Sequence, residues 1–215
     1  MLLALALAIA MEQWAQPVEP VVCPPSSYGH FGEPDAGGRR YVEPLDTSSF
    51  PAILPALEND DFVCAWYNEF LTALEEFALE YPADGTALRL TWLPTFHRPM
   101  AFRILLPVTE ADGAVMIWKE SDGAGGYKPG RLVREDTIAL SVEQVTGIQT
   151  LLELTPICDA TLIDPPATDG SMWVFESATA DLYCFHAAQS PWSDPFRALG
   201  DALMDIAGPP QSERY

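Results

Sequence analysis

The sequence predicts an α+β domain: an antiparallel sheet of about five or six strands with three helices, preceded by a proline-rich irregular arm. Three observations predict it. Three runs carry helix signals, two as apolar stripes at three-and-four spacing and one as a capping box. Short runs such as Leu88-Arg89-Leu90-Thr91-Trp92 alternate apolar and polar residues, the period of a strand with one buried face. The links between neighbouring runs are short, which suits an antiparallel meander, because parallel neighbours need long crossovers.

In chain order, the first ten residues, MLLALALAIA, are uninterrupted apolar residues. They fall short of the ~20 that a spanning helix needs. The run reads as the core of a secretory signal peptide within residues 1–15, cleaved after Ala10 or after Ala15. Residues 16–58 hold Pro17, Pro24, Pro25, Pro34, Pro44, Pro51 and Pro55, which remove donors and fix φ, so this arm is expected to be irregular.

A single domain is expected over residues 59–208, followed by a tail at 209–215. Its first helix is predicted from Asp61 to Tyr81, on the stripe Val63, Trp66, Tyr67, Phe70, Leu71, Leu74, Phe77, Ala78 and Tyr81. Pro82 stops it and Asp84-Gly85 turns the chain. Strands follow around Leu88–Trp92, Phe102–Leu106, Val115–Trp118 and Leu132–Leu140, with a hairpin turn at Ala111-Asp112-Gly113 and a glycine-rich loop over 122–130. Ser141-Val142-Glu143-Gln144 matches a capping box and opens a helix to about Leu154. A hairpin of Met172–Ser177 and Leu182–Ala187 follows. Ser193 caps a last helix with apolar face Phe196, Leu199, Leu203 and Ile206, which Gly208-Pro209-Pro210 ends.

The formal charge is −20, from 11 Lys and Arg against 31 Asp and Glu. Such a surface repels phosphates and anionic headgroups, so nucleic-acid binding and polybasic membrane attachment are disfavoured, and no stable membrane insertion is expected after processing. Four cysteines, Cys23, Cys64, Cys158 and Cys184, lack any C-x-x-C pair, which gives no support to zinc ribbons or thioredoxin-type redox chemistry. In an oxidising compartment they suggest two disulfides in one of three connectivities. Pairing Cys23 with Cys64 and Cys158 with Cys184 closes the shortest loops. Periplasmic or secreted location follows from the same reading.

Candidate binding residues are His97, Arg98, Arg103 and Tyr127. His97 sits in a strand-to-strand connection, where sites concentrate on rigid sheets, and is able to act as acid, base or ligand. In a meander the 95–99 connection and the 122–130 loop fall at the same end of the sheet, so the two share a rim. The glycines of that loop lack phosphate-loop order and open into a strand, so turns and close backbone approach explain them better. His186 lies two residues after Cys184, a pairing that suits a thiol nucleophile only if Cys184 is free of a disulfide. Calcium-loop, zinc-protease and nucleophile-elbow motifs are missing, and neither a cofactor nor a metal is expected.

The strings Leu90-Thr91-Trp92-Leu93, Phe96-His97-Arg98-Pro99, Asp122 to Gly130, Asp169-Gly170-Ser171-Met172-Trp173 and Ser190-Pro191-Trp192 resemble a family of bacterial exported hypothetical proteins of unknown function, over about residues 86–207. The resemblance implies no activity, cofactor or partner. From the residues alone the expectation is a non-catalytic binding protein, inhibitor or immunity-like, with a basic protein partner. The alternative is an enzyme or metal-dependent site around His97 and the 122–130 loop.

Overall fold

The computed structural model describes residues 61–76, 79, 82, 84–108, 114–158, 169–180, 182–191 and 195–208. The signal-peptide run, the arm with Cys23, the turn at 111–113, the Ser193 cap and the tail lie outside them, as does the side chain of Cys64. Among the described residues run strands β1 (Thr86–Pro94), β2 (Met100–Leu106), β3 (Ala114–Ser121), β4 (Leu132–Leu140), β5 (Ser171–Ala178) and β6 (Tyr183–Gln189). The helices are α1 (Asp61–Ala73), α2 (Val142–Leu154) and α3 (Pro195–Ala207). The expected α+β fold is observed: one open sheet in the order β4-β3-β2-β1-β5-β6, antiparallel throughout. The meander β1 to β4 spreads to one side of β1. The connection through α2 returns the chain to the other side, where the β5–β6 hairpin completes the sheet.

Alternation along the strands separates two faces. Leu88, Leu90 and Trp92 of β1, Phe102 and Ile104 of β2, Met116 and Trp118 of β3, and Trp173 and Phe175 of β5 form one apolar layer. Val145 and Ile148 of α2 and Leu199, Leu203 and Met204 of α3 cover it. The Ser141 box forms as expected: the Ser141 hydroxyl accepts from the Gln144 N–H, and the Gln144 side chain accepts from the Ser141 N–H. Gly200 lets α3 approach closely, because a Cβ there would sit 2.1 Å from a ring carbon of Trp173. That approach outweighs the ~1 kcal/mol that glycine costs inside a helix. Cys158 and Cys184 are disulfide-bonded, tying the chain after α2 to the edge strand β6.

On the other face, Tyr67, Phe70 and Leu71 of α1 pack on Leu93, Met172, Val174 and Ala187. The helix is shorter than its periodicity predicts, ending at Ala73 rather than Tyr81. Glu75 adopts φ 51°, in the left-handed region. Its N–H donates to the Thr72 carbonyl and the Glu76 N–H donates to the Leu71 carbonyl, at 3.0 and 2.8 Å. This is the Schellman pattern that closes a helix, here with glutamate where glycine is usual. The physical reason for the early stop is tertiary: the turn points Glu76 into the sheet, where cations await it.

Candidate functional site

Two places gather candidate functional side chains. The first is the rim at one end of the sheet. The Gly125 N–H donates to the carbonyls of Pro94 (2.8 Å) and His97 (3.1 Å), and the Gly126 N–H donates to Thr95 (3.1 Å). Thr95 in turn donates through its N–H and its hydroxyl to the Gly170 carbonyl. The β1–β2 connection and the glycine loop therefore share a rim, as the meander requires. A Cβ on Gly125 would lie 2.4 Å from the Leu93 carbonyl carbon, so only glycine permits this contact.

Phe96 and Tyr127 project from this frame, 58% and 65% exposed, with ring centroids 6.0 Å apart. His97 and Arg98 are exposed beside them. Arg98 Nη1 lies 3.5 Å from Glu120 Oε2, and Arg134 stacks over Trp118 while donating to Asp136. Lys128 and Arg131 are exposed in and just after the glycine loop. The structure thus brings together three of the four expected residues, His97, Arg98 and Tyr127.

No family model and no curated protein matches this chain.

Arg103, the fourth expected residue, belongs to the second place. It is buried on the α1 side of the sheet in a charged cluster with Arg89, Lys119, Glu76 and Glu176. Strand register assembles it: Arg89 is the cross-strand neighbour of both Arg103 and Glu176. Arg89 grips Glu176 through two contacts, Nε to Oε2 at 2.5 Å and Nη2 to Oε1 at 2.6 Å. The hydroxyls of Tyr67 and Tyr183 also donate to Glu176. Glu76 meets Arg89 Nη1 at 3.3 Å, Arg103 Nε at 3.1 Å and Lys119 Nζ at 3.3 Å. Lys119 also donates to the Glu75 carbonyl at 2.7 Å, a cation on the exposed dipole end of α1.

Burial governs the titration of this cluster. It raises the Tyr67 and Tyr183 phenols well above the ordinary tyrosine value, and the Glu176 charge raises them further. Burial opposes the Arg89 charge most strongly, but Glu176, Tyr67 and Glu76 together outweigh it and hold Arg89 well above its ordinary value. Arg103 is lowered to about 10, chiefly by burial, with Glu76 pulling up and Arg89 pushing down. Arg89 and Arg103 both remain charged at neutral pH.

Cys184 is in its disulfide, and the His186 ring is buried and stacked on Phe196 at 4.0 Å. Among the described residues no group of three His, Cys, Asp or Glu side chains is placed to hold a metal ion. Sequence reasoning passed over Arg89, Lys119, Glu76, Glu176, Tyr67 and Tyr183. A signal for some of them existed: Arg89, Arg103 and Glu176 each place a charge among the apolar residues of a strand, and the register puts all three on one face.

Proposed function

We propose that this chain is an exported, non-catalytic binding protein that takes a basic protein partner. The observation that carries the reading is where the cations are. Three of them, Arg89, Arg103 and Lys119, are buried against two carboxylates, Glu76 and Glu176, so the cluster is formally +1. With −20 on the whole chain, everything outside the cluster carries −21. A field of that sign speeds encounter with basic proteins more than it fixes specificity. The exposed Phe96–Tyr127 pair on a backbone-locked rim offers a rigid aromatic anchor for an apolar patch of such a partner, with the exposed Arg98 and Lys128 beside it keeping the partner's cations to the acidic surface elsewhere. The Cys158–Cys184 disulfide suits a periplasmic or secreted setting.

The test is to capture partners of the natively exported protein at low salt and to follow association by surface plasmon resonance. Partners should be basic, with on-rates falling at least about tenfold between 50 and 500 mM salt. Phe96→Ala and Tyr127→Ala should raise the off-rate and leave the on-rate near wild type. Acidic partners, or association indifferent to salt, would overturn the reading. Thiol labelling of the denatured, unreduced protein should find no free cysteine.

A further inference from the structure

The sheet ends in two edge strands, β4 of nine residues and β6 of seven, and β6 carries the Cys184 disulfide. Alternation fixes which β4 groups face outward. The Ser121 N–H donates to the carbonyl of Pro99, just before β2, at 3.1 Å. Lys119, Ile117 and Val115 share that parity, so their backbone groups serve β2, and those of Glu120, Trp118 and Met116 serve β4. The register partners of these last three are Arg134, Asp136 and Ile138. The N–H and C=O of Glu135, Thr137 and Ala139 therefore point away from the sheet, and among the described residues nothing bonds to them. The register shift opposite Glu120 and Ser121 lies at the start of β4 and leaves Arg134 to Leu140 in regular pairing.

An open ladder of this length is a template for another strand. The side chains choose which strand. On the α1 side, Glu135, Thr137 and Ala139 are exposed. Glu135 makes no ion pair among the described residues, because Lys119, its cross-strand neighbour, goes to Glu76. On the other side Arg134 and Asp136 pair with each other, between the half-buried apolar Leu132 and Ile138. The edge thus suits a strand with cations on one side and apolar residues on the other. A second copy brings its own Glu135 and a −20 charge, and like charges across a ladder repel.

We propose that β4 is a docking edge for the basic partner, which adds an extended segment of alternating basic and apolar residues as a further strand. This rests on the reading of the chain as a binder of basic proteins and says how such a partner is held. The glycine loop that carries Tyr127 leads into β4, so the edge continues the aromatic rim.

The probe is a capped nine-residue peptide of alternating lysine and valine, titrated into the full chain and read by amide exchange. It should bind with a Kd on the order of 100 µM and slow exchange at least about tenfold at Glu135, Thr137 and Ala139. The amides of Arg134, Asp136 and Ile138, already turned to β3, should change less. Thr137→Pro removes an outward donor and no bond to β3, and should weaken peptide binding about tenfold. Should T137P not fold, Glu135→Lys carries the test, with the same loss expected. The proposal is overturned if the lysine peptide does not bind, or if a glutamate–valine peptide binds as tightly. It is also overturned if the lysine peptide binds without slowing those three amides, as diffuse attraction would, or if β4 pairs with a second copy. Basic proteins captured equally by wild type and T137P would overturn the edge and leave the parent reading standing. Capture of no basic protein, with the three amides still protected by the peptide, would overturn the parent reading and leave the edge.

Discussion

On the face covered by α2 and α3, β1 contributes Leu88, Leu90 and Trp92; on the opposite face the same strand contributes Arg89, Thr91 and Leu93. All six are buried. The first layer is held by shape: stacked Phe102 and Trp118, edge-on Trp92 and Trp173, and a glycine that lets α3 settle on an indole. The second is held by pairing, through contacts between residues as far apart in sequence as Tyr67 and Glu176. A core of shape tolerates volume-preserving changes, whereas a core of charge fails when one partner is lost. Burial alone therefore does not say what a substitution will do.

The largest break in this comparison is Glu176→Ala. It strands Arg89 and two phenols without their shared acceptor, and should cost about 3–5 kcal/mol in urea unfolding. Replacing both members, as Arg89→Met with Glu176→Met, should cost less than Glu176→Ala alone, the mark of a lost partner rather than a lost attraction.

A smaller effect appears in alkali. The Tyr67 and Tyr183 phenols titrate above their ordinary value when folded, so their contribution is complete below about pH 10 and is lost as pH rises beyond it. Arg103, lowered to about 10, works the other way, since the folded chain sheds that proton first. Two tyrosines oppose one arginine, and the urea midpoint should fall above pH 10. Tyr183→Phe should make the fall shallower.

Glu75→Gly relieves the left-handed residue that turns the chain toward the cluster, and should stabilise by about 0.5–1 kcal/mol in the same assay. Smallest of all is His97→Ala on the exposed rim, with a change within ~0.5 kcal/mol. A larger loss would make His97 part of the frame that holds the two loops together.

Much of this architecture was legible. The Ser141 box, the β5–β6 hairpin and the short links of the meander are local signals, and local signals sufficed for the sheet and for the shared rim. The end of α1 was not legible, because Phe77, Ala78 and Tyr81 continue the apolar spacing while the reason to stop lies on three strands elsewhere in the chain. The polar half of Leu88-Arg89-Leu90-Thr91-Trp92 looked like a solvated face for the same reason. Its partners, Glu176 and Tyr67, are 87 and 24 residues away from Arg89 and Thr91 respectively. Arg103 was grouped with His97 by nearness in sequence, yet strand parity sends it to the α1 side.

The placement of aromatic residues gives the molecule two optical gauges, with Trp66 of α1 the one described indole on the second layer. Trp92, Trp118 and Trp173 are all buried in the layer beneath α2 and α3, while Tyr67 and Tyr183 donate to Glu176 on the other side. Indole emission in the native protein will carry a large contribution from the first layer, and the phenolate absorbance that appears at 295 nm in alkali will carry one from the second. One cuvette can then tell whether the two layers come apart together or in turn.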